Sequence, residues 1–223
     1  GVAGAAVATV ISQLISGIGC VIIMIRRFPI LHLSQEDRVL RMDLIRSLAS
    51  IGLPMGLQYA ITAIGSVIVQ WSVNALGVVS VAAVAAGGKI SMFFCCVFDA
   101  LATTMATFAG QNMGARKLSR IRKGVQSATI IGLVYCGVAL VVILLFSRQL
   151  LSLFVSSDSD PDVMEQACQY LKLNGAFYIP LLFVNILRLT IQGMGYTRIA
   201  MLAGVFEMIA RVCVALFLVP SLG

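Results

Sequence analysis

Between Arg46 and Lys89 the chain carries 42 consecutive residues without an Asp, Glu, Lys or Arg. The hydrocarbon core of a bilayer is about 30 Å thick and an α-helix rises about 1.5 Å per residue, so about 20 apolar residues complete one crossing. The block is twice that length. Asn74-Ala75-Leu76-Gly77 sets a turn signal near its middle. It therefore reads as two crossings, about 48–73 and about 79–111, joined by a very short loop. The second is long enough to be tilted, bent or extended beyond the hydrocarbon.

The remaining charge is spaced accordingly. Apolar runs at 1–25, 124–146, about 166–190 and about 199–220 give four more spans, so the expected fold is an all-α, polytopic transmembrane helix bundle of about six crossings. Lys and Arg crowd into RRFPILHLSQEDRVLRMDLIR and ARKLSRIRK, whereas SSDSDPDVMEQ is acidic. Basic loops stay on the cytoplasmic side, which sets 26–46 and 114–123 inside, 156–165 outside and the N-terminus outside. The expected location is an integral position in a bacterial plasma (inner) membrane. Within 28–46, Ser34 three residues before Asp37 resembles a capping box, and the apolar spacing that follows suits an amphipathic interfacial helix.

Composition excludes several classes. With 60% hydrophobic and 11% charged residues, a soluble fold would lack polar surface. The net charge of +7 sits in short loops without interleaved aromatics, so nucleic acid is not an expected partner; membrane lipid is. Cys20, Cys95, Cys96, Cys136, Cys168 and Cys213 form no CxxC pair and read as reduced core residues, while His32, the sole histidine, reads as a loop residue, so no metal site is expected. No hydrolase triad, P-loop or redox pair emerges, and enzyme activity is not expected. The opening GVAGAAVATV lacks an initiator Met and a signal-peptide n-region, and the chain stops at VPSLG just after an apolar run, as a fragment of a longer protein would.

In order along the chain stand GVAGAAVATVISQ, IGLPMGLQ, ATFAGQNMGARK, QGMGYTRIA and GVFEMIARV. Together they resemble the MATE (multidrug and toxic compound extrusion) transporters. The resemblance implies twelve helices in two six-helix lobes. It makes 1–25 the last helix of the N-lobe, 26–46 the cytoplasmic interlobe connection and 47–223 helices seven to eleven of the C-lobe, with helix twelve outside the chain. It implies a secondary active antiporter, monomeric when full length, that exports small organic substrates of cationic or amphiphilic character in exchange for protons or sodium by alternating access. A lipid-linked oligosaccharide flippase of the same superfamily and a non-transporting membrane scaffold subunit are the alternatives. No cofactor is implied. One branch of the family binds its coupling cation through acids in helices seven and ten. Here no acid lies between Arg46 and Asp99 or between Glu165 and Glu207, and those helices offer Gln58, Thr62, Leu181 and Asn185 instead. The coupling-ion site, for H+ or Na+, is therefore expected outside this fragment.

Several residues stand out within the spans. Glu207 and Arg211, four apart, share a helix face and can form either a structural ion pair or part of an inner gate. Gln58, Thr62, Gln70 and Asn74 suggest a polar stripe that Asn185 can join, either as interhelical hydrogen bonds or as a substrate or ion path. Lys89 either snorkels to an interface or faces a cavity, Asp99 is expected to stabilise the lobe interior, and Arg188 to anchor a helix at the cytoplasmic interface. Pro54 and Pro180 permit bends, and GQNMGA (110–115) offers small residues for close helix approach.

Overall fold

The structure, a computed structural model, describes residues 2–29, 39–155 and 161–218. His32, the Ser34 to Asp37 capping box and the acidic-loop residues Asp158 and Asp160 lie outside the described residues. The chain forms two compact units, 1–46 and 47–223. The first contains α1 (Val2–Arg27), which presents Val10, Leu14, Ile18 and Ile22 on its exposed surface and closes on Arg26 and Arg27, whose charge complements the helix C-terminus.

The second unit is built from the part of α2 (Met42–Ala75) that follows Arg46, with α3 (Val78–Gly114), α4 (Leu118–Leu151), α5 (Pro161–Ala176), α6 (Tyr178–Gly193) and α7 (Thr197–Cys213), which ends in a π-helical turn, Val214–Leu218. Among the described residues every regular element is helical. Five helices are long and apolar enough to cross a membrane, and α5 with α6 makes a sixth, bent by 51°. The 42-residue block is thus two helices, as its turn signal implies: α2 stops at Ala75 and Gly77 turns the chain at φ 98°, ψ 173°, a region essentially reserved for glycine that costs another residue about 1–3 kcal/mol. At its other end α2 starts at Met42, so residues 42–46 are helical and continuous with the spanning segment.

The bend between α5 and α6 has a chemical cause. Pro180 has no N–H to donate to the carbonyl of Ala176, and its ring crowds that carbonyl. The helix breaks at Phe177, bridged by Phe177 N–H bonds to Leu173 (3.3 Å) and Asn174 (3.1 Å) and by Leu181 N–H to the Phe177 carbonyl (3.4 Å). The other expected bend site, Pro54, lies inside the unbroken α2.

Helix α3 is the centre of this unit and packs on α4, α5 and α6. Its buried residues Ile90, Phe94, Phe98, Ala102, Met105 and Ala109 repeat at helical spacing. Phe98, fully buried, meets Tyr135 of α4 (centroids 5.3–5.4 Å for both tyrosines) and Tyr178 of α6 edge-on. The Tyr135 hydroxyl donates to the Phe94 carbonyl at 2.9 Å, and Tyr178 shares a 3.4 Å hydrogen bond with Ser91, so neither phenol is left unpaired in an apolar surround. Small residues bring the backbones together where the GQNMGA and QGMGYTR motifs meet. Gly193 lies against the backbone of Ala106, and Gly110 faces the Gly193 carbonyl.

Candidate functional site

Helix α2 meets α7 through Gln58, Gly65 and Ser72, its three buried residues, spaced by sevens. A seven-residue repeat keeps one seam of a helix on its neighbour. Gln58 covers Gly204, Gly65 lies under Met208 and Arg211, and the Ser72 hydroxyl reaches the Ala215 carbonyl at 3.4 Å. The two helices therefore run in the same direction. This agrees with chain order, since three crossings, α3, α4 and the bent α5–α6 pair, lie between α2 and α7.

Beside this seam an ionic network joins three helices. Arg188 of α6 donates from one terminal nitrogen to Glu207 Oε2 of α7 (3.2 Å) and from the other to Asn185 Oδ1 (3.1 Å). Arg211 donates to Glu207 Oε1 (2.7 Å) and to the Ser66 hydroxyl of α2 (3.2 Å), and Ser66 donates to the Thr62 carbonyl (3.1 Å). One carboxylate is thus shared by two guanidinium groups, and the three side chains carry a net charge of +1. Burial differs along the network, with side chains of Arg188, Glu207 and Arg211 at 18%, 32% and 36% exposure. Arg188 Nε, Gln58 Oε1 and Gln192 Oε1 are buried without a hydrogen-bond partner among the described residues.

The expected Glu207–Arg211 pair is present. Arg188, expected to anchor α6 at the cytoplasmic interface, is mostly covered and pairs with Glu207 across the α6–α7 hairpin. Asn185 is buried and joins this network through Arg188. The proposed α2 stripe divides. Gln58 is buried and Thr62 half-buried, but Gln70 and Asn74 are exposed and bond each other (2.9 Å). Twelve residues turn a helix by about 120° beyond whole turns, which carries the second pair off the α7 seam.

Asp99 is the larger correction. It is exposed, on the side of α3 away from Phe98, and opens a groove of about 640 Å3 with Ala100, Thr103, Thr104, Thr107 and Gln111. Thr104 donates its hydroxyl proton to the Ala100 carbonyl (2.8 Å) and Thr107 to Thr103 (3.2 Å). Each oxygen is left to face the groove as an acceptor. The groove is largely apolar, with Phe108 also lining it, and the Asp99 carboxylate and back-bonded hydroxyls set acceptors along it, which suits amphiphilic solutes that carry a cation or a hydrogen-bond donor. The i, i+4, i+8, i+12 spacing of Asp99, Thr103, Thr107 and Gln111 is the signal that marks this face in the sequence. Lys89 is exposed, with Nζ 5.9 Å from the centre of the Phe154 ring. No group of three or more His, Cys, Asp or Glu capable of holding a metal occurs among the described residues.

The geometry has counterparts in known proteins. A chain from Pyrococcus furiosus described as a MOP superfamily transporter, whose binding pocket of reverse polarity suggests a different function, superposes with a TM-score of 0.72 over 79% of this chain and 38% of its own, at 20% identity. That likeness establishes the fold. The "Probable multidrug resistance protein YoeA" of Bacillus subtilis (strain 168) is 26% identical over 159 residues, which are 70% of this chain and 34% of that protein. The chain thus spans about a third of the length of these relatives. The sequence profile of MatE matches residues 54–217, which takes in the α2–α7 seam, the ionic network and the Asp99 groove. The chain is an integral membrane protein and belongs to the MatE family.

Proposed function

We propose that this chain is the larger part of one lobe of a secondary active antiporter, in a bacterial inner membrane, which exports cationic or amphiphilic organic compounds in exchange for protons or sodium. In this reading 47–223 supplies helices seven to eleven, the two basic loops face the cytoplasm, and the lobes alternate access to a shared cavity. The observation that carries it is the Asp99 groove: a carboxylate and a row of hydroxyls on an open helix face, in a chain whose spans are otherwise nearly free of charge. A carboxylate at that depth is costly against lipid and is retained where it faces a water-filled path. The Arg188–Glu207–Arg211 network then holds α6 to α7 and, through the Arg211–Ser66 hydrogen bond, α7 to α2 as an inner gate, its members only partly covered. The multidrug description of the Bacillus relative supports the same substrate class.

The test is efflux of a fluorescent cation from a pump-deficient host carrying the full-length protein, with proton and sodium gradients collapsed separately. Export should depend on one gradient and fall in Asp99→Asn. Absence of gradient-dependent export across a broad panel of cations would refute the antiporter.

A further inference from the structure

Lys89 carries a charge that no ion pair among the described residues uses. It lies eleven positions into α3, about 16 Å from the helix start at Val78, well within a spanning segment. Three ion pairs occur among the described residues, Arg41–Asp43, Arg188–Glu207 and Arg211–Glu207, and Lys89 is in none of them. Its neighbour is the Phe154 ring at 5.9 Å, near the outer limit of a useful cation–π contact. Phe154 is fixed by the turn that ends α4, where Phe154 N–H and Val155 N–H both donate to the Leu151 carbonyl at 2.9 Å.

Beside the ammonium a groove of about 420 Å3 runs along the seam between α3 and α4. Phe94, Val142 and Leu150 form its floor, and Phe93 and Leu153, 75% and 77% exposed, stand open along it. Every lining residue except Lys89 is apolar. An ammonium in such surroundings is stabilised by an anion, and among the described residues no carboxylate lines the groove beside it. A free anion would meet a single cation and no other charged partner. An anion that carries a hydrocarbon tail would also cover the apolar floor, and each buried methylene adds to its affinity.

We propose that this groove binds an anionic phospholipid, with its phosphate at Lys89 Nζ and one acyl chain along the α3–α4 seam. The site is separate from the Asp99 groove and does not depend on what the protein transports. It makes the outer half of α3 sensitive to the charge of the surrounding lipid.

Native mass spectrometry of the full-length protein, titrated with phosphatidylglycerol or with phosphatidylcholine of identical chains, reads the site directly. One ammonium near a lipid phosphate is expected to favour the anionic lipid by about fivefold. Lys89→Arg should keep that preference and Lys89→Gln should bring it close to unity while both lipids still bind. Leu153→Trp, which fills the groove, should weaken both lipids together. An unchanged preference in Lys89→Gln would overturn the proposal. So would displacement of the lipid by glycerol phosphate at equal concentration, which would mark a free-anion site, or equal binding of both lipids to the unaltered protein.

Discussion

Where α3 crosses α6, Gly193 is held against backbone and not against a side chain. A methyl group there would stand 2.7 Å from both the carbonyl carbon and the Cα of Ala106, and nearer still to its carbonyl oxygen. Carbon atoms rest at about 3.5–4.0 Å, so the helices would have to part by about 1 Å. They are poorly free to do so, because Ile186 and Thr190 on α6 and Ala102, Met105 and Ala109 on α3 are buried along the same helices. Overpacking of this kind costs about 1–3 kcal/mol, and a backbone clash belongs at the upper end. Gly137, in the middle of α4, is the control: a methyl there meets nothing within 4 Å and should stabilise the helix by about 0.5–1 kcal/mol. Gly132, five residues earlier, would meet the buried side chain of Leu182 and no backbone, and should fall between them. Thermal melts of the full-length protein in detergent, followed by fluorescence-detected size exclusion, should rank Gly193→Ala below Gly132→Ala below Gly137→Ala. The first and last should differ by about 3 kcal/mol in apparent stability. If Gly193→Ala melts at or above Gly137→Ala, the close α3–α6 crossing is wrong.

Glu207→Gln leaves two guanidinium groups without their shared carboxylate; with all three groups partly solvated the cost should be about 1–2 kcal/mol, below that of a fully buried pair. A double-mutant cycle with Arg211→Gln should return part of that loss, and additivity of the two changes would deny the coupling. Asp99→Asn, on an exposed face, should shift stability by less than about 0.5 kcal/mol while lowering export of a monocationic dye relative to a neutral one, measured in the same cells. Arg116 occupies a left-handed conformation at φ 56° at the end of α3, so Arg116→Gly should raise the melting temperature, whereas Gly195→Ala, at φ 95°, should lower it, each by about 1 kcal/mol of stability.

The spans are legible in the sequence because the bilayer imposes a length, and charge can stand only between those lengths. The turn at Gly77 follows from the same constraint, since a charge-free block of 42 residues has to reverse somewhere and Asn74 to Gly77 is where it can. Which side of a span faces its neighbours is written less plainly. In water an exposed face is polar, but in lipid the outward residues are as apolar as the inward ones. On α3 the exposed Met92 and Phe93 look no different from the buried Phe94 and Phe98. Asp99 is therefore misread when its burial is inferred from its apolar neighbours, and is read correctly only with the threonines one and two turns on. Arg188 is misread for a different reason. Its partner is 19 residues away, and the pairing becomes evident only when α6 and α7 are folded into a hairpin about residues 194–196, which leaves 207 about 7 Å further from the turn than 188, a gap that a long arginine side chain can span.

Contact chemistry divides the second unit into two layers, and the division predicts where substitutions act. The α3–α6 crossing is closed by glycine against backbone, and the adjoining core by Phe98, Tyr135 and Tyr178 locked edge to face, contacts that tolerate little displacement. The α2–α7 seam packs the Gln58 stem on Gly204 and is otherwise joined by hydrogen bonds, Ser72 on a carbonyl and Arg211 on Ser66, groups that can exchange partners with water at small net cost. Changes in the first layer should therefore lower expression and melting temperature together with transport. Changes in the second, Ser66→Ala or Ser72→Ala, should leave melting nearly unaltered and show themselves in transport rate. A set of seam variants that lost stability in proportion to activity would show that both layers serve only to hold the fold.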